Sequence, residues 1–273
     1  MAGPKISLKG QTALVTGASS GIGAAIAREL ARQGVHLILV ARSRPPLEQL
    51  ASEIRDVCPV AVCVLTQDLA EPDAARSLQQ TLDEQNLKVD LLINNAGAGK
   101  SGPFLDLPLS EVEAQIQLNL LALTELCQLF AAPMVRRGYG QILNVASTGA
   151  YQPGPYTAVY YAAKAYVHSF SLALARELCG TGVTVTLLCP GATATDFSRR
   201  AGKKDLANAM PPAKVARAAV RGLLSRRRLV IPGFANRVVI TASKVLPGHW
   251  LAAIVARIQQ PLLQPAEPGR ERQ

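Results

Sequence analysis

Gln11-Thr12-Ala13-Leu14-Val15-Thr16, then Gly17-Ala18-Ser19-Ser20-Gly21-Ile22-Gly23, then Ala24-Ala25-Ile26-Ala27-Arg28-Glu29-Leu30-Ala31, is the stretch that sets the architecture. The first run is short and apolar, as a buried strand is. The third carries apolar residues at helical spacing, and Gly34 is placed to end it. A Gly-rich turn between a strand and a helix is where phosphate meets backbone N–H groups and a helix N-terminus. Glycine permits close approach there because it lacks Cβ. A tight turn with no ligand is the alternative, and the strand and helix flanks favour the ligand.

Outward from this unit the alternation continues. Val35–Ala41 reads as strand, Leu47–Val57 as helix and Val60–Leu65 as strand, with Asp68 beyond its end. Glu71–Gln85 reads as a helix opening near Pro72, and Val89–Ile93 as a strand running into Asn94-Asn95-Ala96-Gly97. Ser110 and Glu113 form a capping-box pattern for a long helix to about Met134, with Asn119 inside it. Gln141–Ala146 and Val183–Leu188 read as strands, Pro211 to about Leu224 as helix, and Leu229–Ile231 as a last short strand. The expected fold class is α/β: a single Rossmann-like, doubly wound parallel sheet with helices on both faces. Residues 1–231 form the expected catalytic domain, and 232–273 a C-terminal amphipathic extension ending in a disordered tail from Gln264.

Composition agrees with this class. The chain has 273 residues, 49% hydrophobic and 18% charged, enough for one sizeable core. Its net charge of +10 is weighted toward Arg199, Arg200, Lys203, Lys204 and Arg226 to Arg228. Such charge suits a phosphorylated cofactor, an acidic carrier protein or a membrane surface, or it is simply a solvated face. No nucleic-acid motif accompanies it, so no nucleic-acid partner is expected. Five scattered cysteines show no metal spacing and read as buried thiols of a reducing compartment, so no metal site is expected and the expected location is cytoplasmic. Met1–Gly10 lacks an apolar signal core, and no uninterrupted apolar run reaches the ~18 residues of a membrane span. In 232–265, Val239, Leu246, Trp250, Leu251, Ile254, Val255, Ile258 and Leu262 form an apolar stripe with Arg237, Lys244 and Arg257 between. Pro247-Gly248 divides it into two short helices. The stripe packs on the body or a second subunit, or it touches a membrane surface.

Chemistry is concentrated between Ser147 and Lys164. Tyr160 and Lys164 are four apart in a helical segment that runs to about Leu178, so both side chains can enter one site. A nearby cation lowers a phenol's pKa toward working pH, which makes the pair a proton-transfer device. Ser147 follows a strand, at the end where open α/β sheets bind ligands. After the second strand stands Arg42 and no carboxylate. A guanidinium there pairs with a ribose 2′-phosphate, which favours NADP(H) over NAD.

Taken together, Thr16 to Gly23, Asn94 to Gly97, Asn119, Ser147, Tyr160-x-x-x-Lys164 and Pro190-Gly191 with Thr195 resemble the classical short-chain dehydrogenase/reductase family over about Lys9–Ile231. The resemblance implies an NADP(H)-dependent oxidoreductase interconverting a carbonyl and a secondary alcohol. An apolar ketone or aldehyde is the expected substrate. A 3-oxoacyl-carrier-protein reductase is the alternative, and a catalytically silent NADP(H)-sensing protein the remoter one. It implies Tyr160 as acid/base, Lys164 binding the nicotinamide ribose and lowering the Tyr160 pKa, Ser147 bonding the substrate oxygen and Asn119 holding a proton-relay water. Tyr161 sits at the wrong spacing from Lys164 for this motif. The implied cofactor residues are Gly17, Ser19, Ser20, Gly21, Ile22, Gly23, Arg42, Asp68, Leu69, Asn95, Ala96, Gly97, Tyr160, Lys164, Pro190, Gly191, Thr193 and Thr195. Phe197–Met210 would be a mobile, basic lid, and the Asn119 and Tyr160 helices would pack across a homodimer or homotetramer. Ser20 departs from the basic residue that many NADP-binding members carry there, so the NADP expectation rests on Arg42.

Overall fold

The computed structural model of the chain describes residues 6–204 and 209–263. The strands are β1 (Thr12–Thr16), β2 (His36–Ala41), β3 (Val62–Thr66), β4 (Leu91–Asn94), β5 (Gly140–Val145), β6 (Val183–Leu188) and β7 (Leu229–Val230). They form one parallel sheet in the order β3-β2-β1-β4-β5-β6-β7. The strands are buried on both faces, which is why they read as near-continuous apolar runs. In β1, Ala13 and Val15 enter one apolar layer and Leu14 the other, as the two-residue period of a strand requires.

The helices α1 (Gly21–Arg32), α2 (Arg44–Val57) and α8 (Pro212–Leu224) cover one face. The helices α3 (Ala74–Glu84), α5 (Ala122–Arg137) and α6 (Ala158–Glu177) cover the other. Short helices α4 (Leu109–Ile116) and α7 (Phe197–Arg200) lie at the strands' carboxyl ends, and α9 (Phe234–Ser243) and α10 (Gly248–Gln259) follow the last strand. The strand order reverses between β1 and β4, which puts Gly17 and Asn95 together at the crevice where such sheets bind ligands.

Several local expectations are corrected. Helix α3 starts at Ala74, because Asp73 before it has φ 56°, a left-handed conformation that no helix runs through; Pro72 lies outside. Pro108 is the N-cap of α4, so Ser110 and Glu113 sit inside the helix and no capping box forms. The long helix is interrupted by a π turn at Gln117–Leu121. There Asn119 Nδ2 donates to the Gln115 carbonyl four residues back at 2.8 Å, competing with the α-helical N–H, and the ladder widens. Cys179 is exposed and Cys63 half-buried, so only Cys58, Cys127 and Cys189 are buried thiols. The tail from Gln264 and residues 205–208 of the lid expectation lie outside the described residues. By length and composition Leu109–Arg137 could cross a membrane, but it carries buried Gln115 and Asn119 and packs against α3 and α6. That placement is that of a core helix.

Candidate active site

At the crevice, Thr16 holds two strand ends together. Its hydroxyl donates to the Ile93 carbonyl at 3.2 Å and accepts from the Asn95 and Ala96 N–H groups, each at 3.0 Å. Asn95 Nδ2 returns to the Thr16 and Gly17 carbonyls at 3.0 and 3.2 Å. A Cβ on Gly23 would lie 2.3 Å from the Gly17 carbonyl oxygen, so only glycine closes this turn. Gly17 at φ +64° and Gly21 at φ +57° supply the conformations the turn needs. Ser19, Ser20 and Ile22 line the same turn. Ser20 is the N-cap of α1 yet makes no side-chain capping bond, and the first turn of α1 holds no acid. The helix N-terminus is therefore left to an anion.

The neighbouring cofactor candidates gather around this turn. Gly21 abuts Thr195: a Cβ there would meet the Thr195 methyl at 2.9 Å. Arg42 is exposed beyond β2, 3.8 Å from the Asp68 carboxylate, which also accepts from the Ala70 N–H at 3.0 Å. The Leu69 side chain is buried in the core, so only its backbone can meet a ligand. Thr193 Oγ1 donates to the Gly191 carbonyl at 3.0 Å, and Thr195 Oγ1 accepts from the Phe197 N–H at 3.3 Å. Gly191, after the buried Pro190, faces α9: a Cβ there would strike Asn236 Oδ1 at 2.4 Å. These groups suit a dinucleotide: N–H donors at the turn, close-packed glycines and an exposed arginine beyond β2 that shares its charge with Asp68.

Tyr160 and Lys164 project from α6 toward Ser147 at the end of β5, as their spacing required. The Ser147 hydroxyl accepts from the Gly149 N–H at 3.1 Å and hydrogen-bonds the Tyr160 phenol. Burial pushes the Tyr160 phenol up to about 12, and the Ser147 bond only partly opposes it. The expected lowering by Lys164 is not found. The ammonium donates to the Val145 carbonyl at 2.8 Å and stands 5.6 Å from the Tyr160 ring centre. Lys164 is itself buried, and desolvation brings it down to about 8.

Asn119 is locked by backbone. Its Oδ1 accepts from the Ala98 N–H at 3.2 Å, and Nδ2 donates to the Ala98 and Gln115 carbonyls, both at 2.8 Å. A Cβ on Gly97 would fall 2.9 Å from Asn119 Oδ1 and 3.4 Å from Lys164 Nζ. Glycine therefore keeps open a small gap between amide and ammonium.

Two participants were not legible in the sequence. Phe197 lies against Tyr160, ring centres 5.2 Å apart, and walls the site. Gln259 of α10 donates to the Tyr161 hydroxyl at 3.0 Å and accepts from Lys203 Nζ at 2.6 Å. The basic lid is partly spent on such contacts. Arg199 and Arg200 pair with Asp196, and the Lys204 N–H donates to the Leu262 carbonyl at 2.9 Å. No local pattern signals Gln259, which lies 98 residues from its partner Tyr161.

Fold and site together define a class of enzyme. Residues 11–206 match the family model described as short chain dehydrogenase, and the chain belongs to that family. It is an oxidoreductase with a nicotinamide cofactor. Among its relatives, the ketoacyl reductase HetN of Nostoc sp. is 34% identical over 227 residues, 82% of this chain and 79% of that protein. A short-chain dehydrogenase from Sphingobium yanoikuyae, solved in complex with NADPH, is 34% identical with a TM-score of 0.79, covering 95% of this chain and all of the other. The bulky-bulky ketone specific alcohol dehydrogenase of Comamonas testosteroni is 31% identical with a TM-score of 0.74, covering 87% of this chain and 95% of the other.

Proposed function

We propose that the protein is an NADP(H)-dependent reductase of apolar ketones or aldehydes, run reversibly as an alcohol dehydrogenase. The observation that carries the reading is the Tyr160 phenol, bonded to Ser147 beneath the Phe197 ring. The cofactor, when bound, supplies or accepts the hydride. Tyr160 gives its phenolic proton to the carbonyl oxygen as the alcohol forms. Ser147, which accepts from Gly149 and here bonds the Tyr160 phenol, would turn its proton to the same oxygen when substrate enters, where negative charge develops. Lys164, held by the Val145 carbonyl, would orient the nicotinamide ribose, and a water in the gap at Gly97 between Lys164 and Asn119 would return the proton. Asn119 thus acts by fixing the π turn and lining that gap.

Arg42, standing after β2 where a carboxylate would select NAD, supports NADP(H), its ion pair with Asp68 being a long one at 3.8 Å. The Phe197 wall supports an apolar substrate, as does likeness to an enzyme named for bulky ketones. The second reading, a 3-oxoacyl-carrier-protein reductase, is favoured by the likeness to HetN. Against it, Arg199 and Arg200 of the lid are already engaged with Asp196, leaving less free charge for an acidic carrier. Exposed Leu109, Ile116, Leu121, Tyr166 and Leu172 on the α4–α6 segment support a homodimer or homotetramer. The free thiols support a reducing, cytoplasmic setting.

The test is cofactor oxidation with bulky apolar ketones and aldehydes against an acetoacetyl thioester, each with NADPH and NADH. Faster turnover of the apolar carbonyls is expected; preference for the thioester would replace the first reading with the second. NADPH should be preferred, and Arg42→Leu should raise the KM for NADPH by about 10–100-fold while leaving NADH unchanged, the worth of a charge-assisted phosphate contact. An Arg42→Leu enzyme with unaltered NADPH affinity would remove the basis of the NADP assignment.

A further inference from the structure

The charge of this chain is lopsided in a way the reductase reading does not use. Between residues 197 and 263 stand thirteen Lys and Arg and one acid, Asp205; from 234 to 263 there is no acid at all. The same C-terminal helices turn large apolar side chains to solvent. Phe234, Val238 and Val245 recur at i, i+4 and i+11 along α9 and the turn after it, and Trp250, Ile254 and Ile258 at i, i+4 and i+8 on α10. Phe234 and Val245 are each 81% exposed and Trp250 59%. Inward-facing Ile240, Leu251 and Val255 already anchor the two helices on the body, so the outward stripes are surplus to folding.

We infer that the outward stripes of α9 and α10 are a docking surface for an anionic lipid bilayer. Aromatic and aliphatic side chains flanked by Arg237, Lys244 and Arg257 fit a helix lying in the headgroup region. A symmetric second copy fits poorly, because it would bring cation against cation with no acid in either helix. The surface adjoins the reaction site: Gln259 at the end of α10 bonds Tyr161, the residue after Tyr160, and Lys203 of the lid. An apolar carbonyl could pass from the bilayer to the site without crossing water. That last consequence rests on the apolar-substrate reading; the docking surface does not.

Trp250 is the only tryptophan, so its fluorescence reports this surface alone. Full-length protein is titrated with vesicles of phosphatidylcholine and of phosphatidylcholine with phosphatidylglycerol. A blue shift and co-sedimentation are expected with the anionic vesicles, falling with added salt. Arg237→Gln and Arg257→Gln should each weaken binding roughly fivefold, with turnover of a water-soluble ketone unchanged. Failure to bind any vesicle overturns the inference. So does a blue shift that follows protein concentration without vesicles, which assigns the surface to a second copy, or one produced only by an acidic carrier protein. Turnover is read separately by cofactor absorbance, so an inactive enzyme that still docks refutes the reductase reading and not this one.

Discussion

Tyr160→Phe is expected to lower turnover by about 10²–10⁴, the usual worth of a positioned general acid, with cofactor affinity retained. The substitution removes one oxygen and leaves the ring, which packs on Phe197 and beneath which Lys164 is aimed at Val145. Nothing that holds the dinucleotide turn is touched. The phenol lies at about 12 by burial, so it is a proton donor across the whole practical pH range. Carbonyl reduction should therefore fall by a similar factor at every pH in the variant. Cofactor binding by fluorescence, set beside steady-state turnover, checks this; unchanged turnover would remove Tyr160 from the mechanism.

Lys164→Met should cost about a hundredfold or more in kcat/KM and also change how stability depends on pH. Burial lowers the ammonium from its ordinary 10.5 to about 8. Between those two values the unfolded chain holds a proton that the folded chain has shed. Stability must then rise with pH across that window, by an amount on the order of 2–3 kcal/mol for this group. Below about 8 both states are protonated and the group adds no slope. The methionine variant lacks the term, so the difference between wild type and variant should grow in the wild type's favour from pH 8 to 10.5. Lys203 shifts in the same direction for the same reason, which is why the comparison with the variant is needed. In the wild type, kcat/KM for reduction should fall as pH passes about 8, because that ratio reports the free enzyme's groups. Urea melts across the pH series and a pH–rate profile measure both effects. A variant with the wild-type pH slope would mean that Lys164 is not the group being desolvated.

Much of this protein is determined by sequence alone, because its signals are local. A buried parallel strand is a short apolar run, a dinucleotide turn needs glycine where Cβ cannot fit, and two residues four apart on a helix share a face. Those three rules place β1, Gly17, Gly23, Tyr160 and Lys164 without coordinates. Element ends were less legible where a single backbone conformation intervenes: Asp73 delays α3, and Pro108 takes the cap that Ser110 and Glu113 suggest. What only the tertiary structure decided depends on chain segments far apart in sequence. Packing, not spacing, puts Phe197 against Tyr160, threads Gln259 between Tyr161 and Lys203, and turns Asn119 onto Ala98 so that the helix widens. It also set the electrostatics against expectation. At i+4 the cation was expected to draw the phenol's pKa down, but both groups are desolvated and the ammonium is committed to Val145, so burial prevails. Spacing settles which side chains can meet; the dielectric around them and the partners they find depend on every element that packs above them.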